Sequence, residues 1–488
     1  MCRAGVHEMS RDLRGGVTDP RDQRISELEA ENAVAKARIV ELERKVDELM
    51  KLVLSLKEQL DRNSSNSGKP PSSDSPSQRA ERQGKGATGG KQGGQPGHKG
   101  SKRALVPPEQ VTETRPLFPP ECENCWAALP QVPSAKPQLF QTVELPPLKA
   151  HVTQFERHCV ACPRCRHQTW ASISEIPATP FGPRLSAVVG LLTGVYHLSR
   201  RSAVRLIGDV LGIDISLGAV STIEERVSDA LKAPVDEAWA TLDDAKVKHT
   251  DGTSWFQAGV MCSLWTIATS VATVFKILVN GQATTLAPLF GKRLGILVSD
   301  RATALKFWAM DQRQICWAHL LRKAISFSER DGPSGAIGRE LLDLIGILFT
   351  YWHKLQSGEL TRDKFRELMA PVRRQVEAVL ERAYKSKLAH VSGSCEDILE
   401  HRVALWTFVE QEGVEPTNNH AERELRAFVL WRKRSFGTQS NRGNLFAERL
   451  MTVAHTARKQ NKNVLEFLTA CCLAVRAGNP PPSLFTTA

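Results

Sequence analysis

"RLGILVSD", residues 293–300, is the most hydrophobic strand-like run of the chain, and it ends in a carboxylate, Asp300. Burying an unpaired charge is costly, so an aspartate at the end of a buried strand needs a partner or a function. Three shorter β-rich runs separated by turn residues come before it: "AKVKHTDGTSW" (245–255), "GVMCSLWTIATS" (259–270) and "TVFKILVNG" (273–281). Their composition and spacing predict an antiparallel meander.

The elements around this meander complete the prediction of the fold. "QATTLAPLFGK" (282–292) reads as a helix, and "RQICWAHLL" (313–321) reads as a short strand that runs into a helix. Three antiparallel strands, a helix and then buried strands follow the ribonuclease H order. We therefore expect a ribonuclease-H-like α/β catalytic domain over residues 243–470, with a helical insertion at about 322–410.

Two aspartates and one glutamate are predicted to meet in this domain. Asp251 follows a strand-like run and Asp300 ends another, and the first and fourth strands of a ribonuclease-H-like sheet are neighbours. Glu422 lies on a helix within "EPTNNHAERELR" (415–426). Three acids can hold two Mg²⁺ (or Mn²⁺) ions for phosphodiester chemistry. The alternatives are a turn aspartate at 251, a glutamate that interacts only with the helix dipole, and Glu424 as the third acid.

Residues 20–62 predict a coiled-coil helix. Apolar residues recur at two positions of a heptad, with Asn32 as the polar exception, and a lone buried Asn favours a parallel dimer. The first position holds Ile25, Ile39, Val46, Val53 and Leu60, and the second holds Leu28, Ala35, Leu42, Leu49 and Leu56. Self-association through this helix is the expectation; a single amphipathic helix packed on its own domain is the alternative.

The next segment, residues 63–105, is rich in Gly, Ser and Pro, carries mostly basic charge and has few apolar residues. Such a composition cannot bury enough surface to fold, so we expect a disordered basic linker. It can serve as a spacer only, or as an arm that lies along phosphates.

Residues 116–176 contain two cysteine clusters, "CENC" (Cys122, Cys125) and "CVACPRC" (Cys159, Cys162, Cys165). Two CxxC pairs can supply four thiolates to a structural Zn²⁺, which predicts a zinc ribbon. We favour Cys162 and Cys165 as the second pair, because "CPRC" has the turn of a zinc knuckle, and this leaves Cys159 for packing. A redox dithiol is the alternative.

Residues 180–235 predict a helical domain. "SRRSAVRLIGDVLG" and "DISLGAVSTIEERVSDAL" read as two helices joined by a turn at Gly212, with the second helix beginning near Ser216. This pattern fits a helix-turn-helix whose second helix enters the major groove of DNA, and it equally fits a structural helix pair.

The bulk composition agrees with a nucleic-acid partner. The 488 residues carry a net charge of +12, which is typical of proteins that bind nucleic acid and also occurs in cationic proteins of other kinds. No run approaches the roughly 18 apolar residues of a membrane helix, and the start lacks the apolar run of a signal peptide. The sequence therefore predicts a cytoplasmic, nucleoid-associated protein of multidomain α+β class.

Several long motifs together resemble transposases of the insertion sequence 66 family, a bacterial group of the aspartate-aspartate-glutamate type. They are "NSSNSGKPPSSD", "GQPGHKG", the paired cysteines, "FGPRLSAVVGLL", "HTDGTSW", "LVSDRATAL", "CWAHLLR" and "PTNNHAERELR" followed by "RKRSFGT". The resemblance implies that Asp251, Asp300 and Glu422 are the catalytic triad and that His319 is an accessory residue. It also implies binding of terminal inverted repeats and target DNA, and accessory proteins of the element.

This chain departs from the family in two places. The family commonly has Glu after the first Asp, whereas Gly252 stands here, and "CVACPRC" has one cysteine more than the usual pair. Metal-dependent DNA cleavage and strand transfer is the expected function. A catalytically impaired, transposase-derived DNA-binding protein or regulator is the alternative.

The residues around and after Glu422 are expected to contact DNA. Asn418 and Asn419 are expected to shape the start of the helix and to reach DNA, and Trp431 and Phe436 are expected to stack on bases. The phosphate-binding candidates are Arg423, Arg426, Arg432, Lys433 and Arg434.

Overall fold

The computed structural model describes residues 20–61, 103–174, 176–292 and 294–485. The first helix forms one compact unit, and the chain from residue 103 onward belongs to the other. Nearly all of the predicted basic linker, 63–105, lies outside the described residues.

The first unit is a single helix, α1 (Pro20–Asp61), 42 residues long. Its bounds agree with the predicted coiled-coil segment. The heptad positions stay open to solvent: Ile25, Ile39 and Val53 are each more than half exposed. Exposed apolar residues along one seam of a long helix are what a coiled coil buries against a partner helix. Self-association through α1 stays a prediction.

The second unit begins with a cysteine-rich segment that has little regular structure. Its strands β1 (Cys159–Ala161) and β2 (Gln168–Trp170) pair antiparallel, and a short 3₁₀ helix spans Pro108–Gln110. No residue described between 103 and 174 is buried. A segment without a core of its own depends on another source of stability, such as a bound metal ion.

Four helices follow, and local sequence signals set their ends. They are α2 (Pro183–Gly190, continued by a π-helical turn, Leu191–Val195), α3 (Arg200–Leu211), α4 (Leu217–Ala230) and α5 (Lys232–Asp243). Ser199 and Ser216 cap α3 and α4 by accepting backbone N–H groups of the first turn. Gly212 ends α3 in the left-handed region at φ 63°, which suits glycine.

The two helices predicted on either side of Gly212 are present as α3 and α4. Val220, Ile223 and Val227 of α4 lie in the same core cluster as residues of a later helix. The exposed side of α4 carries Glu225 and Asp229, which form ion pairs with arginines of that later helix, together with Arg226. One face of α4 is therefore structural, and DNA contact through the other face stays a prediction.

The central sheet has five strands in the order β5-β4-β3-β6-β7. The strands are β3 (Val247–Gln257), β4 (Val260–Ala268), β5 (Thr273–Leu278), β6 (Ile296–Ser299) and β7 (Arg313–Ile315). The first three are antiparallel, β6 runs parallel to β3, and β7 runs parallel to β6. The first and fourth strands of the sheet are thus neighbours, as the sequence predicts.

The sheet is covered on both faces. Alternate residues of a strand point to opposite faces, and here they enter different cores. Trp265 and Val274 pack with α2, α4 and the C-terminal helices, whereas Leu264 and Phe275 pack with Phe428 and its neighbours. The chain is a mixed α+β protein whose sheet lies between helical layers.

The remaining helices surround the sheet. They are α6 (Ala283–Leu286), α7 (Trp317–Ser328), α8 (Gly332–Gln356), α9 (Arg362–Lys385), α10 (Ser392–Glu400), α11 (Thr407–Glu410), α12 (Asn419–Ser435), α13 (Asn441–Lys459) and α14 (Val464–Arg476). Short 3₁₀ helices span Ala287–Phe290, Thr303–Leu305, Met310–Gln312 and Arg402–Leu405. Helices α7 to α11 pack in one core cluster with Val298 of β6 and Ile315 of β7, and Phe327, Phe365 and Phe408 are fully buried in it. Helices therefore occupy the predicted range 322–410 and share their core with one end of the sheet, and a separate insertion stays a prediction.

Candidate active site

The register of the sheet places the two aspartates level with each other. His249 of β3 pairs with Val298 of β6, and the two strands are parallel. Asp251 and Asp300 each lie two residues beyond that pair, so both occupy the same end of neighbouring strands and the same phase of the pleat. The carboxyl end of parallel strands is where α/β proteins commonly form their sites.

Glu422 joins the aspartates from the first turn of α12. The start of this helix is fixed by Asn418, which is buried. The Asn418 Nδ2 atom donates to the Thr250 carbonyl at 2.7 Å, and the Asn418 backbone N–H donates to Cys316 Sγ at 3.1 Å. His249 Nδ1 donates to Asn418 Oδ1 at 3.3 Å. Asn418 thereby ties α12 to β3, beside Asp251, and to the turn before α7.

Burial and neighbouring charge act together on Asp251. Burial is the largest cause that raises the pKa of Asp251 to about 7, and the charges of Asp300 and Glu422 raise it further. The backbone N–H of Gly252, 2.9 Å from Oδ1, and the Arg322 guanidinium act in the opposite direction. Asp300 and Glu422 are thus close enough to Asp251 for charge repulsion to add to the effect of burial, a combination that is typical of functional sites.

Two residues of α7 face Glu422. His319 Nδ1 lies 3.9 Å from Glu422 Oε1, and Arg322 Nη2 lies 3.7 Å from Glu422 Oε2. Burial, and after it the Arg322 charge, lowers the pKa of His319, so the ring is neutral near pH 7. Arg322 belongs to "CWAHLLR", but its role is not evident from the motif alone. Its spacing of three residues from His319, which puts both on one helix face, is the signal that could have identified it.

The acids fit a divalent cation on chemical grounds. The Glu422 Oε1 atom is buried and has no hydrogen-bond partner among the described residues. Carboxylate oxygens are preferred ligands of Mg²⁺, and a cation would offset the repulsion that raises the Asp251 pKa. The three acids do not form a single tight cluster. The group around Glu422 whose ligand atoms all lie within 4.8 Å consists of Cys316, His319 and Glu422.

Glu424, the rival third acid, points into a different environment. It forms ion pairs with Lys459 at 3.1 Å, with His420 at 3.5 Å, and with His455 at closer range. Burial raises the pKa of Glu424, but its hydrogen bonds to the two histidines and the Lys459 charge outweigh burial and hold the pKa well below its usual range. Glu424 is therefore fully engaged with other side chains.

The DNA-binding candidates differ in their exposure to solvent. Arg423, Arg426, Lys433, Arg434 and Asn419 are exposed. Arg432 is engaged: its Nη1 atom contacts Thr253 Oγ1 at 3.0 Å and also reaches the carbonyl and hydroxyl of Ser254. Arg432 thus ties α12 to β3, and its bonds compete with any role on phosphate.

Only one of the two predicted stacking residues is open to a base. Trp431 is buried, and its ring stacks on His197 at a centroid distance of 4.6 Å. The prediction that Trp431 stacks on DNA is therefore wrong, because the ring belongs to the core beneath α12. Phe436 is 78% exposed at the end of that helix.

Gly252 lies directly against a large side chain of the neighbouring strand. A Cβ atom at this position would lie 2.9 Å from the Trp265 ring, which is too close for an unshifted contact. Trp265 is the register partner of Gly252 on β4. The space in which a glutamate side chain would begin is therefore filled by an indole.

The two cysteine clusters form loops with the same backbone bonds. In each loop the first Cys N–H donates to the carbonyl five residues on, and its carbonyl accepts from the N–H four residues on. The residues after the second Cys, Trp126 and Arg166, both have φ of 60°. The loops compared are Cys122–Ala127 and Cys162–His167. This equivalence favours Cys162 and Cys165 as the second pair, with Cys159 in β1 opposite Trp170.

The electrostatics of these loops suit thiolates. Backbone N–H groups of Asn124 and Cys125 lower the pKa of Cys122, and those of Cys165 and Arg164 lower the pKa of Cys162. The two pairs do not meet, however. Among the described residues, neither group of three or more potential ligands within 4.8 Å contains any of these cysteines. A shared Zn²⁺ therefore stays a prediction.

Carboxylates from two parallel strands and a following helix are the type of ligand that can hold divalent metal ions for phosphoryl transfer. Residues 179–445, more than half of the chain, match the model of the Transposase IS66 family. The chain belongs to this family, whose members are DNA-processing enzymes that bind DNA and use divalent metal ions.

The other comparisons add less. Residues 17–104 match a family of unknown function. A search of curated proteins found no match. No helix among the described residues is both long and apolar enough to cross a membrane.

Proposed function

We propose that this chain is a transposase that binds the terminal inverted repeats of its own element, cleaves the DNA strand there and joins the 3′-hydroxyl to target DNA. Asp251, Asp300 and Glu422 are the metal-binding acids of this site. The proposal rests on one observation above all: Asp251 and Asp300 each lie two residues beyond the same register pair of neighbouring parallel strands, where Asp251 is affected by the charges of both Asp300 and Glu422.

The chain's own residues have distinct tasks in this proposal. The three acids would hold Mg²⁺ (or Mn²⁺), which when bound activates the attacking oxygen and stabilises the leaving oxygen. Asn418 fixes the start of α12 and so positions Glu422. Arg322 places a positive charge beside Glu422, where it can hold a phosphate oxygen. His319, neutral and close by, can hydrogen-bond to the DNA backbone.

The surfaces around the site support a DNA substrate. Arg423, Arg426 and Arg434 are exposed on the helix that carries Glu422, and Phe436 is exposed at its end. Exposed arginines position a duplex by its phosphates, and an exposed aromatic ring can stack on an unpaired base. In the same proposal the coiled-coil helix pairs two chains and the cysteine loops hold a structural Zn²⁺. The protein works at the nucleoid, with accessory proteins of the element.

A strand-cleavage assay tests this function. The substrates are duplexes carrying the inverted repeats that flank the gene, incubated with wild type, Asp251→Asn and the exposed-acid control Asp311→Asn. We expect Mg²⁺-dependent cleavage by wild type and by the control, and none by Asp251→Asn. Equal cleavage by Asp251→Asn and wild type would exclude this acid as a metal ligand.

The second candidate function is a DNA-binding regulator that has lost catalysis, and Gly252 is the feature behind it. Gly252 packs against Trp265, and the three acids are all present in this chain, so an active transposase is the better supported function. DNA binding without cleavage by any variant, wild type included, would support the regulator.

A further inference from the structure

A second group of potential metal ligands lies at the end of α10, in the helical insertion. Asp397, Glu400 and His401 are spaced i, i+3 and i+4, which puts them on one face of the helix. One ligand atom from each lies within 4.8 Å of the other two. None of them belongs to the acid triad or to the cysteine loops.

One ring nitrogen of His401 is held by the backbone, and the other is unpaired among the described residues. The residue is fully buried, and its Nδ1 atom lies 2.8 Å from the Asp397 carbonyl oxygen. A carbonyl only accepts, so Nδ1 carries the proton and donates it, and Nε2 presents its lone pair. That Nε2 atom is buried and has no hydrogen-bond partner among the described residues. Fixing one ring nitrogen by a backbone carbonyl is how proteins prepare the other for a metal ion.

The two carboxylates are partly engaged and accessible to an ion. Arg301 Nε contacts Asp397 Oδ2 at 2.8 Å, and Lys306 Nζ contacts Glu400 Oε2 at 3.3 Å. Within the described ranges, neither cation contacts the second oxygen of its carboxylate. The side chains of Asp397 and Glu400 are 44% and 56% exposed, so an ion can enter from solvent.

We propose that Asp397, Glu400 and His401 bind a divalent transition-metal ion of the Zn²⁺ class. Imidazole together with carboxylates selects such ions over Mg²⁺, which prefers oxygen ligands alone. Three protein ligands leave a fourth position for water or an external ligand. Arg301 directly follows Asp300 in the chain, so an ion that competes with Arg301 for Asp397 couples the helical insertion to the loop of a proposed catalytic acid.

Calorimetric titration of the full chain with Zn²⁺ tests this site. An excess of Mg²⁺ keeps the acid triad occupied, and the zinc already bound is measured beforehand. The variants are Glu400→Gln, which is exposed and removes one ligand, His401→Gln, and the control Glu396→Gln on the exposed side of the same helix. Circular dichroism checks that each variant is folded.

We expect wild type and Glu396→Gln to take up the same additional Zn²⁺ with equal affinity. Glu400→Gln should weaken that binding by about tenfold or more, and His401→Gln should abolish it. Arg301→Gln, which removes the competing cation, should tighten it. Zn²⁺ uptake that is absent in wild type, or unchanged in Glu400→Gln, would overturn the proposal.

Discussion

Two glutamates of α12 lie two residues apart and meet opposite environments. Glu422 faces two aspartates, and one of its oxygens is buried without a hydrogen-bond partner among the described residues. Glu424 is surrounded by two histidines and a lysine, which satisfy its charge. One helix therefore has a site face, where Arg322 lies beside Glu422 among three acids, and a packed face, where a single acid has three partners.

The two environments indicate different roles: a functional role for Glu422 and a stabilising role for Glu424. A buried carboxylate without a partner is costly and persists only when a ligand or substrate completes it. A buried carboxylate with three cationic or hydrogen-bonding partners holds elements together instead. Glu424 joins α12 to α13, whereas Glu422 contributes little to that packing.

The largest effect is expected at Glu422. The substitution Glu422→Gln keeps the shape of the side chain but removes a metal-binding charge, and we expect strand cleavage to fall by about a thousandfold or more. Stability in the absence of metal should stay the same or rise slightly, because Asp251 loses a repelling neighbour. Cleavage rates in Mg²⁺ and thermal unfolding without metal measure the two effects.

This prediction fails if Glu422→Gln cleaves at the wild-type rate. It also fails if the variant unfolds far more easily than wild type, since Glu422 would then belong to the packed face. The Asp311→Asn variant serves as the matched loss of one exposed carboxylate.

Glu424→Gln should show the opposite pattern. Removing this charge leaves Lys459 partly buried beside two histidines, and breaking such a pair typically costs about 3 kcal/mol of unfolding free energy. Cleavage per folded molecule should change little. Denaturant unfolding, together with cleavage under folding conditions, measures both. Lost cleavage with an unchanged unfolding curve would show that Glu424 is the catalytic acid.

The sequence could supply the strand order but could not tell these two glutamates apart. Hydrophobic runs and turn residues are local signals, so the meander, the buried strand ending in Asp300 and the helix bearing Glu422 were all predictable. Only His420 is a local partner of Glu424, whereas His455 and Lys459 lie more than thirty residues downstream, and no local pattern links them to it.

The prediction that failed at Trp431 has the same cause. Trp431 reads as DNA-facing because the nearby sequence is basic, but its ring stacks on His197 in the core beneath α12. Asn418 is expected to shape the start of its helix, yet its three partners, on β3 and before α7, could not be named from the local sequence.

A substitution at Gly252 tests how much the stability of the protein depends on the packing of β3 against Trp265. The change Gly252→Ala puts a Cβ atom 2.9 Å from the Trp265 ring, and we expect a loss of about 2 kcal/mol in unfolding free energy. The matched control is Gly346→Ala, a helical glycine with no atom within 4 Å of an added Cβ, which should stabilise by about 0.5–1 kcal/mol. Denaturant unfolding compares the two, and equal shifts would contradict the contact with Trp265.

The smallest expected effect concerns pH on the packed face. His197 stacks on Trp431, and burial, followed by the charges of Arg434 and His455, lowers its pKa from 6.5 to about 4. A depressed histidine pKa contributes stability that is complete above the unfolded value and is lost as pH falls from about 6.5 to 4.

The matched variant is His197→Asn, because asparagine tolerates the φ of 56° at this position and does not titrate. Loss of the stacked ring lowers the stability of the variant at every pH. The informative quantity is therefore the difference in unfolding free energy between wild type and variant at each pH. That difference should shrink by about 2 kcal/mol between pH 7 and pH 4. This is less than the full effect of the pKa shift, because the ring is only partly buried. Denaturant unfolding at half-unit steps measures it. Parallel pH curves would mean that the pKa of His197 is the same in the folded and the unfolded protein, so that burial beside Arg434 does not disfavour its charged form.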